Sequence, residues 1–130
     1  MLPSIDAEYL TRFPGHTVQS EGNMICVVIP QFPLPTGLDV GVSDLLMRLA
    51  PGYPDIAPDM WWFDPEVRRL DGVDIPATQA KETHLGRVWQ RWSRHFSPGQ
   101  WNSGIDSLES YLALVRKELA SAAAAATKAA

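Results

Sequence analysis

The chain has 130 residues, 15 acidic against 11 basic, for a formal net charge of -4. That length suits one domain with a core of its own, needing neither disulfides nor a structural metal. The acidic balance, with a pI near 5.2, counts against a protein that lives on nucleic acid, because phosphate binding needs surplus Lys and Arg. Cys26 is the single cysteine, so no internal disulfide forms, which fits a reducing compartment. The first residues, Met1 to Asp6, lack the basic-then-apolar pattern of a secretory signal. No apolar run approaches the roughly 20 residues that span a bilayer. A cytoplasmic, non-membrane protein is the expectation.

In chain order, Ile5, Tyr9 and Phe13 fall at helical spacing, with Ser4 as candidate cap and Pro14-Gly15 as the stop. Thr17 to Glu21 is a short alternating stretch, and Gly22-Asn23 reads as a turn. Met24 to Ile29 is a β-branched run of strand length. Pro30 to Gly37, with three prolines, reads as a loop or strand edge. Val40 to Leu49 fits helix and strand alike, but Asp39-Val40-Gly41-Val42 starts a helix poorly, so a strand is predicted. Met60 to Phe63 is a short aromatic strand closed by Asp64-Pro65. Close strands with proline and glycine turns predict an antiparallel four-stranded meander. Glu66 to Thr83 reads as a long irregular segment of the kind that is functional or mobile. Gly86 to Phe96 has no clear assignment. Ile105, Leu108, Leu112, Val115 and Leu119 trace the face of a C-terminal helix, with Ser103 as cap and Asp106 in the first turn. Residues 121–130 form an alanine-rich tail, able to continue the helix by propensity, frayed or disordered, with no face to bury. The expected class is α+β, with residues 1–120 as the domain.

Chemistry has few footholds. His16, His84 and His95 have no cysteine nearby and no helical ligand spacing, so neither a metal nor a cofactor is expected. No phosphate loop, dinucleotide fingerprint or nucleophile elbow occurs. Cys26 lies within an apolar run, where a thiol behaves as a small hydrophobe rather than a thiolate. Arg87 to Phe96, with Trp101 beyond, concentrates arginine and tryptophan. Either Trp89, Trp92 and Trp101 pack beneath the C-terminal helix while the arginines are solvated, or the segment is a binding surface. Arg91, Trp92, Arg94, Trp101 and His84 are the candidate binding residues. Stacking on nucleic-acid bases is a further possibility that the acidic whole disfavours.

The order of elements, with Tyr53-Pro54-Asp55-Ile56-Ala57-Pro58 and Trp101 ahead of the last helix, resembles the ubiquitin-conjugating (UBC) fold. Leu34-Pro35-x-Gly37, Gly52-Tyr53-Pro54, Asp59-Met60, Trp92-Ser93-Arg94-His95, and Trp101 with Asp106 to Leu112 resemble its prokaryotic family E over residues 2 to 120. The resemblance implies a bacterial ubiquitin-like system with an activating enzyme, a metalloprotease and multi-ubiquitin-like proteins. It also implies a catalytic cysteine near residues 92–95, where none stands. Ser93 is the only hydroxyl there and His95 the sole local base. The family's His-Pro-Asn element has no match beyond His84-Leu85-Gly86, which lacks the Asn. The expected function is therefore a binding protein that docks a ubiquitin-like protein or activating enzyme without the usual cysteine. The alternatives are a conjugating enzyme with Ser93 or Cys26 as acceptor, and a small nucleic-acid or protein interaction module.

Overall fold

The computed structural model describes residues 2–128. Helix α1 (Ser4–Leu10) is shorter than its apolar spacing suggests, and Pro3 precedes it without any side-chain cap. Ser4 is thus a helical residue and not the cap. Pro14 cannot continue a helix, so Phe13 leaves α1 yet still packs edge-on against Tyr9.

Six strands follow: β1 (Thr17–Glu21), β2 (Met24–Pro33), β3 (Val42–Leu49), β4 (Trp61–Asp64), β5 (Lys81–His84) and β6 (Arg87–Trp92). They form one antiparallel sheet in the order β1-β2-β3-β4-β6-β5. The four-stranded meander is thereby corrected to six strands, with β5 at the end of the segment expected to be irregular and β6 in the stretch without a clear assignment. Its turn is Leu85-Gly86, both with positive φ (56° and 72°), as a two-residue hairpin of this hand requires. Gly86 adopts that conformation freely. Leu85 bears a steric cost, and its side chain packs on apolar residues beneath.

Strand β2 also corrects an expectation, because it runs through Pro30 to Pro33. The register shifts between Ile29 and Phe32 and Gln31 takes φ 52°. This bulge carries the strand past Pro30 and buries Phe32 completely. Strand β3 is a strand, as its start predicted: Ser43, Leu45, Met47 and Leu49 are buried on one face, while Asp44, Leu46 and Arg48 take the other.

Helix α2 (Leu108–Lys128) begins later than expected. Ile105 is 82% exposed and lies in the preceding turn, so Ser103 is no cap. The cap comes from across the molecule: Asp6 Oδ1 accepts the Leu108 N–H at 2.9 Å. The alanine-rich stretch is helical to Lys128, and Ala123 and Ala126 are buried. The prediction of a tail without a face to bury is therefore overturned for the described residues. The reason is close approach: a Cβ on Gly37 (φ 112°) would stand 2.6 Å from the Ala123 carbonyl oxygen. Only glycine at 37 lets the β2-β3 connection lie this close to the α2 backbone.

Two cores result. The larger lies between the sheet and the helices and holds Phe32, Leu45, Met47, Trp61, Phe63, Trp92, Tyr111, Leu112 and Val115. The smaller, on the opposite face, holds Cys26, Val28, Leu46, Trp62 and Trp89. It is closed because the sheet curls until its ends meet. The Leu85 N–H after β5 donates to Glu21 Oε2 at the end of β1, at 2.6 Å. Burying each large side chain in either core contributes about 1.5–3 kcal/mol. Among the described residues no helix is long and apolar enough to cross a membrane.

Candidate functional site

Where β6 ends, the chain is held from both sides. The Ser93 N–H donates to Ala77 O and the Met60 N–H to Arg94 O, each at 3.0 Å. Both clamping residues are left-handed without being glycine, Met60 at φ 62° and Ala77 at φ 58°. Such conformations persist only where the surroundings enforce them and cluster at functional positions. Ser93 and Arg94 line a cleft of about 580 Å³ between the 69–77 segment and α2, with Ala77, Ser121, Ala122 and Ala125 as small walls and Arg69 and Glu118 at its rim.

The two residues predicted for catalysis are not coupled. The Ser93 hydroxyl makes its side-chain contact with Met60 Sδ at 3.7 Å, a weak acceptor that draws off no proton. His95 is 62% exposed and its Nδ1 pairs with Asp59 Oδ1 at 2.5 Å. No hydrogen bond joins the two side chains, so the base that an oxyester-forming serine needs is engaged elsewhere.

The predicted binding residues divide in the same way. Trp92 is fully buried, stacked on Trp61 at 6.1 Å, with its Nε1–H donating to Gln90 Oε1. Arg94 donates from Nε to Glu118 Oε1 (2.6 Å) and from Nη1 to Pro76 O (2.9 Å), and its guanidinium lies 5.1 Å from the Trp92 ring centre. It thus ties β6 to α2 at the cleft edge. Trp101 is half-buried, donating to Pro54 O and packing on Tyr53 and Phe96. Tyr111, beneath, donates to Met60 O; burial, then the charge of Asp59, pushes its phenol upward. Trp92 therefore presents nothing to a partner in this conformation.

Arg91, paired with Trp62 across the sheet, and His84, edge-on to the Trp62 ring, lie on the face of the smaller core. Arg91 donates to Glu82 Oε2 at 2.8 Å. His84 stands between Glu21 and Glu82. The expectation that Trp89 packs beneath the C-terminal helix is corrected as well: strand alternation turns it into the smaller core, where its Nε1–H donates to His84 O. Cys26 is fully buried there. No group of three or more His, Cys, Asp or Glu side chains among the described residues is placed to hold a metal.

Sequence reasoning missed Asp6, Glu21, Asp59 and Glu82. Asp6 joins three segments, accepting from Tyr53 Oη at 2.7 Å as well as from Leu108; with partners 102 positions apart, no local signal could reveal it. For Glu82 a signal existed. Lys81-Glu82-Thr83-His84 alternates, and period two places Glu82 and His84 on one face.

These features define an α+β protein whose thiol is sealed in a minor core and whose one hydroxyl in the 92–95 segment contacts a thioether and no base. The chain belongs to prokaryotic E2 family E, whose model matches residues 2–122, and is thus an E2-like protein. No curated protein and no solved structure matches it.

Proposed function

We propose that this E2-like protein serves a bacterial ubiquitin-like modification system by binding, holding a ubiquitin-like protein or an activating enzyme without forming a thioester. It would keep the UBC architecture as a docking scaffold and act in the cytoplasm, where its lone thiol stays reduced. The observation that carries this reading is the fate of the two possible acceptors. Cys26 is fully buried, and Ser93 contacts a thioether while His95 is held by Asp59. Neither setting supports an activated nucleophile.

The docking surface in this reading is the cleft beside Ser93 and Arg94, with exposed His95 following in the chain. Its walls are small and its fixed arginines bring little rotamer entropy to lose, which suits an inserted chain segment. Ala125 lines the cleft and is exposed, so Ala125→Trp fills the space without entering the core. Titration calorimetry with the ubiquitin-like protein of the same system should give binding to the natural chain, weakened at least about tenfold by Ala125→Trp. Ser93→Ala should leave binding unchanged. Equal binding by Ala125→Trp would move the surface elsewhere.

A further inference from the structure

The closure of the curled sheet depends on one histidine. His84 is 13% exposed and has a carboxylate on each side: Nδ1 is 3.3 Å from Glu21 Oε1, and Nε2 is 3.0 Å from Glu82 Oε1. Glu21 ends β1 and Glu82 belongs to β5, so the imidazole bridges the two free ends of the sheet. Every other element at the seam contributes a donor. Arg48 of β3 reaches Glu21 at 3.2 Å, Arg91 of β6 reaches Glu82 at 2.8 Å, and Trp62 of β4 donates Nε1–H to Glu82 at 2.9 Å. The Trp62 ring also meets His84 edge-on at 5.4 Å, and the Leu85 N–H holds Glu21 Oε2.

A carboxylate offers no hydrogen, so both imidazole nitrogens can bond here only as donors. Only the imidazolium donates from both. A neutral ring turns a lone pair toward one carboxylate and loses that bond. We propose that the seam is a protonation-operated clasp: protonated His84 locks β1 to the β5-β6 hairpin, and its deprotonation loosens the hairpin from β1. What the seam covers is the smaller core, with Cys26, Trp62 and Trp89. The clasp therefore lies over the core that holds Cys26, and the proposal stands whether or not the protein docks a partner.

The sign follows from linkage. Both bonds need the ring protonated at both nitrogens, so the closed seam goes with the imidazolium and loses one of its two ties when the ring gives up a proton. The acid limit comes from the carboxylates. The Leu85 N–H, then His84 and Arg48, hold Glu21 below its ordinary value despite burial. Burial pushes Glu82 up, but the bonds from His84, Trp62 and Arg91 outweigh it and hold Glu82 low as well. The clasp thus survives until pH falls below the ordinary glutamate range.

The test is amide hydrogen exchange at Leu85, corrected for intrinsic rate, with nitrogen NMR of the His84 ring at about pH 5.5 and about pH 8. The expected result is a ring protonated on both nitrogens at the lower pH, and Leu85 protection falling about tenfold at the higher. His84→Gln should show low protection at both. A neutral ring at the lower pH, or Leu85 protection equal at both pH values in the natural chain, would overturn the proposal, and neither result depends on how the variant folds.

Discussion

Asp6 is buried at 1% exposure and is fully used: Tyr53 donates to one carboxylate oxygen and the Leu108 N–H to the other. Burial, then this carboxylate, pushes the Tyr53 phenol upward. Asp6→Ala leaves the first amide of α2 buried without a partner, so urea denaturation should show a loss of about 2–3 kcal/mol, and Tyr53→Phe one of about 1 kcal/mol. At Ala77 the opposite is expected. Its left-handed backbone strains any side chain, and the residue is exposed, so Ala77→Gly should stabilise the protein by about 0.5–1 kcal/mol. A loss instead would mean that the Ala77 methyl contributes packing that outweighs the strain. Neither residue announces itself in the chain. Asp6 reads as an ordinary first-turn acid, and left-handed alanines have no composition signal.

The second helix and the β5-β6 hairpin show where sequence reading holds and where it fails. Leu108, Leu112, Val115 and Leu119 are buried as their spacing predicts. Beyond Leu119 alanine alone carries the face, and periodicity is invisible in a run of one residue type. A substitution contrast makes that face testable. Ala123 is buried against Gly37, while Ala124 is exposed. Ala123→Asp should cost more than about 3 kcal/mol through an unpaired buried carboxylate, and Ala124→Asp should cost under about 1 kcal/mol; thermal melts of the two variants read the difference. The hairpin was hidden for a different reason. Lys81 to His84 is polar, and Leu85-Gly86 is not the Asn-Gly or Asp-Gly that marks such turns. The aromatic strand β4 was legible from its residue types, and β3 only because Asp39 to Val42 starts a helix poorly.

For the whole molecule, the charge ties set the acid limit of stability. Glu66 is held low by Lys81, partly opposed by burial, with Arg68 adding to it. Arg69 does the same for Asp71, and Glu21 and Glu82 are lowered at the sheet seam. Folded values below the ordinary ones mean stability that is present above the usual carboxylate range and lost as pH falls below it toward the folded values. The melting temperature should therefore fall steadily below about pH 5, and Glu82→Gln should flatten that decline while lowering stability near neutrality. The 92–95 segment does lie beside a cleft, but the partners of Ser93, Arg94 and His95 come from residues 59, 60, 76 and 118, which no local pattern places there.

The central claim, that this E2-like chain binds without carrying, is tested most directly by intact-mass spectrometry after incubation with the activating enzyme, the ubiquitin-like protein and ATP of its own system. The predicted result is an unchanged mass together with saturable association. A mass raised by one ubiquitin-like protein, and restored by Ser93→Ala or Cys26→Ser, would contradict it.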